Sequence, residues 1–102
     1  MPAIVAALEE DGGAWAQEQL TTLRQVSPSS LFWTHELLKR GATMSLADCL
    51  QMELRLTRKV VNQHPDFREG VRALLVDKDS KPRWTPAAIE GVNQAEILAM
   101  FD

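Results

Sequence analysis

No disulfide can form within this chain, because its 102 residues include a single cysteine. The simplest setting is therefore a reducing one, which leaves the cytoplasm or, in a eukaryote, the mitochondrial matrix. No uncharged apolar run approaches the ~20 residues that a membrane-spanning helix needs. The first residues also lack the basic start and long apolar stretch of a secretory signal, so no membrane is expected as a partner. Nucleic acid is not expected either: the formal charge is −3, and phosphate backbones call for a basic patch. His35 and His64 have neither a cysteine nor another histidine at ligand spacing, which argues against a metal site. The five glycines form no paired-donor loop ahead of a helix start, the arrangement an oxyanion hole would use. Strand alternation is almost nowhere to be seen, and no repeat or low-complexity segment is present.

What remains is helical periodicity over a composition that is 45% hydrophobic and 25% charged, ordinary for one globular domain. A first helix spans about 2–10, with Pro2 at its start, Ile4, Val5 and Leu8 inward, and a break at Asp11-Gly12-Gly13. A second runs over about 14–25 through Trp15, Gln19, Leu20 and Leu23. Ser27 caps a third, with Pro28 at its first position and Gly41 at its stop. Ser45 opens a fourth that reaches about Gln63. Asp66 reads as the N-cap of a fifth, with Glu69 as its capping-box partner, continuing to about Asp77. A polar turn follows at Asp79–Arg83. Thr85-Pro86 is expected to open a short helix, and Asn93 with Glu96 a last one carrying Ile97, Leu98 and Phe101. The expected fold is an all-α, antiparallel array of five to seven short helices, one domain over 1–102.

Few residues stand out as carriers of chemistry. Glu53 projects from the middle of the face that Leu46, Cys49, Leu50, Thr57, Val60 and Val61 share on the fourth helix. A charge so placed must be paired or hydrogen-bonded. It is either a catalytic acid or base or a structural carboxylate, and the structural role is favoured because no second carboxylate or nucleophile lies nearby in sequence. Lys78, Lys81 and Arg83 form a basic turn beside Trp84 that is either solvated or a seat for an anion. The third helix is apolar almost all round, so Phe32 or Trp33 is expected to face something outside the chain. Trp15 and Trp84 read as core anchors, Cys49 as a small buried hydrophobe, His35 as a partly buried hydrogen-bonded residue, and His64 as a turn residue. Arg55, Arg58 and Lys59 read as the solvated side of the fourth helix.

The run SPSSL at 27–31, Thr34, SLADCLQMELRL at 45–56 and DFREGVRALLVDKD at 66–79 resembles the C-terminal part of the enoyl-CoA hydratase/isomerase (crotonase) superfamily. Its 3-hydroxyisobutyryl-CoA hydrolase branch is the most similar. The resemblance covers nearly the whole chain. It implies the C-terminal helical region of a crotonase-type enzyme without its β/α core, where the catalytic acid and oxyanion hole reside. The parent would hydrolyse a short branched acyl-CoA thioester in valine breakdown, with coenzyme A as part of the substrate and no separate cofactor. A hydratase or isomerase parent is the alternative within the superfamily, and a free-standing helical interaction module the alternative outside it. By resemblance, Lys78 is the expected CoA-phosphate contact and Phe67 a wall of the nucleotide or acyl pocket. The chain itself holds no catalytic residue in this reading. Its partners would be the N-terminal core, the acyl-CoA and, in an oligomer, a neighbouring subunit.

Overall fold

A computed structural model describes residues 1–102 and contains helices but no strands. The elements are α1 (Pro2–Asp11), α2 (Ala14–Leu23), α3 (Pro28–Gly41), α4 (Leu46–Gln63), α5 (Asp66–Val71) and α6 (Gln94–Ala99). A five-residue π turn, Arg72–Val76, continues α5, and a 3₁₀ turn, Ile89–Gly91, precedes α6.

Local chemistry sets most of the boundaries. Gly12 ends α1 in the left-handed region, at φ 66°, where an L side chain would be strained. Ser27 and Ser45 accept the N–H of Ser30 and Asp48 through their hydroxyls, and Asn93 accepts that of Ala95, each satisfying a free donor of the first helical turn. Thr85-Pro86 does not open a helix. Its N–H goes instead to the distant Asp66 carboxylate at 2.8 Å, and the chain runs on through bends to the 3₁₀ turn, where Ile89 enters the core.

One apolar cluster joins every helix but α5. Val5 of α1, Leu20 of α2, Phe32 and Trp33 of α3, Leu56 of α4 and Ile97 of α6 meet Ile89 in it. Phe32 and Trp33 are 7% and 8% exposed, so the expectation that one of them faces outward is wrong. The reason is that α3 is central: α1, α2, α4 and α6 all supply side chains against it, and its open side is the Thr34–Leu38 edge. Trp15, expected in the core, is 67% exposed, because α2 turns Ala16 and Leu20 inward. In α1, Val5 rather than Ile4 is buried. Trp84 is half-buried and donates its indole N–H to the Gln25 carbonyl at 3.0 Å.

The core is small for the chain. Ten hydrophobic residues are buried, whereas thirteen large hydrophobic side chains are exposed. The radius of gyration is 14.8 Å, against about 13 Å for a compact domain of this length, and the shortest of the three dimensions is 23 Å. A flat helical layer with more apolar bulk outside than inside is shaped to be covered.

Asp66 links the layer's irregular parts. Only 4% exposed, it accepts the Ser27 hydroxyl at 2.5 Å and the Thr85 N–H at 2.8 Å, tying the starts of α3 and α5 to the returning chain. The capping box expected here does not form, since Asp66 is the first helical residue after Pro65 and its carboxylate goes to these long-range donors. Removing it strands both donors. Asp66→Ala is expected to cost about 2–3 kcal/mol in urea unfolding, and Asp66→Asn, which keeps an acceptor, clearly less. Equal and negligible losses would show the link to be dispensable.

Candidate functional site

The segment from Asp66 to Trp84 builds the most distinctive surface of the chain. α5 and the π turn form one wall, the start of α3 another, and the return through Pro82 and Trp84 closes the end. Between them lies an open groove of about 750 Å³, lined by Val26, Trp33, Phe67, Gly70, Leu74 and Trp84 among others. Gly70 faces the Trp84 ring: a Cβ there would stand 3.4 Å from it, at the near edge of ordinary contact. Phe67 lines the groove and is half exposed, so it is a wall rather than core.

The turn that follows is held by one guanidinium. Arg72 forks onto Glu69 at 2.7 and 2.8 Å and reaches Asp77 at 2.9 Å and Asp79 at 2.8 Å. Glu69 also accepts the Arg83 N–H, and Asp79 the Lys81 N–H. The Arg72 fork, then the Arg83 N–H, hold the Glu69 carboxyl down from 4.5 to about 2, and Arg72 with the Lys81 N–H holds Asp79 below the usual carboxylate range. All three acids of the turn are thus engaged by Arg72. Lys78, Lys81 and Arg83 make no ion pair and remain exposed cations. Lys78 sits in the left-handed region at φ 55°, at the apex of the turn, and does not line the groove with Phe67.

Ser27 and Asp66 of the groove's lining meet His64 behind them, yet not as a catalytic triad. Ser27 donates to Asp66, and His64 stands 3.9 Å from the same carboxylate while its Nδ1 accepts the Asp66 N–H. A hydrolytic triad needs the imidazole between the hydroxyl and the carboxylate so that it can take the hydroxyl proton. Here the carboxylate is between them, and Ser27 is occupied as the α3 cap. No group of three His, Cys, Asp or Glu converges as metal ligands. The groove can hold an apolar or aromatic group, with cations of the turn beyond its rim.

Glu53 stands mid-arc on α4, as the periodicity places it, but it is not buried and paired there. The buried side of α4 runs through Met52 and Leu56, with Cys49 and Val60 half-buried beside them, and Glu53 is exposed with no hydrogen-bond or ion-pair partner. Half of the apolar face of α4 stays uncovered. His35 is half-buried and bonds the Met1 nitrogen at 3.1 Å; His64 caps α4 and packs edge-on to Trp33. Arg55 and Arg58 are solvated as expected, whereas Lys59 is half-buried and reaches the Asp102 carbonyl. The sequence gives no role to Arg72 and reads Ser27 as a cap alone, without its bond to Asp66. The spacing of Glu69, Arg72, Asp77 and Asp79 was the available signal for the first.

The Arg72 cluster has a pH signature with a defined sign. A carboxyl whose folded value lies below its unfolded one contributes fully above the unfolded value and ceases to contribute as pH falls through the folded one. For Glu69 that window is about pH 4.5 down to 2. Arg72→Met is expected to lower stability modestly near neutrality, since Arg72 is partly solvated, and to flatten the acid limb of the stability profile in that window. Identical acid limbs for the two proteins would show that the cluster does not contribute to stability.

Comparison with known proteins fits this geometry. Residues 1–101 match the family model described as enoyl-CoA hydratase/isomerase. The chain is 50% identical over 101 residues to a Gallus gallus protein named 3-hydroxyisobutyryl-CoA hydrolase, mitochondrial, covering 99% of this chain and 26% of that protein. A Dictyostelium discoideum protein of the same name is 47% identical over 92 residues, 89% of this chain and 24% of the relative. The chain therefore spans about a quarter of the length of the curated relatives it matches. The crystal structure of an enoyl-CoA hydratase from Rhodobacter sphaeroides superposes with a TM-score of 0.85 at 37% identity, over 95% of this chain and 29% of that one. Sequence, helical layer and solved neighbour agree that the chain belongs to the enoyl-CoA hydratase/isomerase family.

Proposed function

We propose that this chain is the C-terminal helical segment of a 3-hydroxyisobutyryl-CoA hydrolase-type enzyme, where it covers the acyl-CoA pocket of the missing core and makes subunit contacts. The parent hydrolyses a short branched acyl-CoA thioester in valine degradation, using core groups for the chemistry. The observation that carries the reading is the groove at Phe67, apolar and open on one side, beside a turn whose acids are all engaged by Arg72 while Lys78, Lys81 and Arg83 stay free. An acyl-CoA pairs an apolar acyl chain and an aromatic base with phosphates, which suits such a neighbourhood. Phe67 would wall the nucleotide or acyl pocket, and Lys78 would meet a CoA phosphate. A eukaryotic parent would work in the mitochondrial matrix, a reading that the relatives named mitochondrial support, and a bacterial parent in the cytoplasm. A hydratase parent is the second reading, favoured by the name of the solved neighbour.

The test is a chimera in which this chain replaces the matching region of the Gallus gallus relative. It should hydrolyse its acyl-CoA substrate, whereas the 102-residue chain by itself should release no thiol above buffer. Within the chimera, Lys78→Ala is expected to raise KM about 3- to 10-fold with kcat nearly unchanged, since a remote phosphate contact is made equally in ground and transition states. An unchanged KM across a range of salt removes Lys78 from the pocket. The core, not this segment, decides the reaction, so the second reading is tested in the full-length parent itself: hydration of an enoyl-CoA with the thioester left intact favours it.

A further inference from the structure

α4 carries an apolar arc about twice as wide as the face it buries. At about 100° per residue, Met52, Leu56, Cys49 and Val60 occupy roughly 80° and turn into the domain. Leu46, Thr57, Leu50 and Leu54 extend the arc over the next 80° and face outward, the leucines 75%, 57% and 52% exposed. Glu53 stands where the two halves meet. Its neighbours on the helix surface, three and four residues away, are Cys49, Leu50, Leu56 and Thr57, and none is a cation. The carboxylate is satisfied by water as the structure stands, and anything that covers the leucines removes that water.

Two occupants are conceivable, and charge separates them. A second copy packing its α4 antiparallel about Leu50, the centre of this row, would bury two Glu53 carboxylates about 9 Å apart along the axis, and neither face would supply a cation to them. The matched relatives are about four times as long as this chain, which leaves ample protein to cover the face. The face is also separate from the acyl-CoA groove, to which α4 contributes only Val60. We infer that the Leu46–Leu50–Leu54 face of α4 docks on the core of the parent enzyme, and that this core presents a hydrogen-bond donor to Glu53, an arginine or lysine side chain or backbone N–H groups. The inference rests on the reading given under Proposed function. It makes Glu53 a positioning residue that sets the register of the helical layer on the core.

The isolated chain and the chimera test it together. In the isolated chain, Glu53→Ala and Glu53→Gln should leave the melting temperature within about 1 °C, because a solvated surface carboxylate contributes little. In the chimera, Glu53→Ala should lower it by about 3 °C or more by stranding a buried donor, and Glu53→Gln, which keeps an acceptor, should recover most of the loss. Equal melting temperatures for all three chimeras, in enzyme that still turns over acyl-CoA, would overturn the inference and leave the proposed function standing. A chimera that aggregates or lacks activity whatever residue stands at 53 would overturn the proposed function and the inference with it.

Discussion

The carboxylate of Asp66 is the constraint on which the groove depends. Taking a charged group out of water is tolerated only where hydrogen bonds replace its hydration, and here the Ser27 hydroxyl and the Thr85 N–H do so. Those donors belong to parts of the chain 39 and 19 residues away. Satisfying one side chain therefore fixes the start of α3, the start of α5 and the return before Ile89 relative to one another. The Trp84 indole bonded to Gln25 closes the same gap from the other side. Both walls of the groove are then positioned before any apolar contact across it is considered.

Charge is sorted at short range in a chain that is acidic as a whole. Arg72 draws Glu69, Asp77 and Asp79 to itself, and Lys78, Lys81 and Arg83, which make no ion pair of their own, outweigh the two negative charges left on that cluster by one. A net charge of −3 and a locally basic rim are thus compatible. The same sorting appears at the far end of α3, where Glu36 takes Arg40 at 2.9 Å and the Arg40 guanidinium lies 4.5 Å over the Phe101 ring. There the cation closes the C-terminus onto the layer. In the turn, it leaves other cations free.

Much of the fold is legible in the sequence because caps are local. Ser27 with Pro28, Ser45, Gly12 and Asn93 mark helix ends through atoms at most a few residues away, and those ends fall where they are read. The all-α class follows from the same periodic, capped segments. Burial is less legible, because periodicity gives the width of an apolar arc and not which part of it a neighbour takes. The α4 arc is read correctly, yet only one edge of it is covered, so Glu53 is solvated while Met52 and Leu56 are core. The α3 arc is also read correctly, but four helices converge on Phe32 and Trp33 and leave neither outside. Trp15 is misplaced for the same reason, since Ala16 and Leu20 are the residues α2 turns inward. Asp66 and Glu69 defeat the capping-box reading because Asp66 finds its partners far off in sequence and Glu69 is taken by Arg72, three residues on. Of the site, Phe67 and the basic turn are visible as residue types, whereas the Arg72 fork that frees the turn's cations needs the fold.

The π turn after α5 has a consequence for how this segment can change. Each turn of a π-helix holds more residues than an α turn, so Leu74, Leu75 and Val76 pass over the surface in sequence while the Asp77 N–H closes back on the Arg72 carbonyl at 2.8 Å. The stretch from Arg72 to Asp79 thereby acts as a ruler, spacing two aspartates so that a single guanidinium reaches both as well as Glu69. Losing one residue would let the helix tighten to α geometry, but it would carry the aspartates out of reach and rotate Lys78 by about a quarter turn. The segment should therefore accept exchanges of its outward side chains far more readily than any insertion or deletion, since its length is what keeps the groove and the basic rim in step.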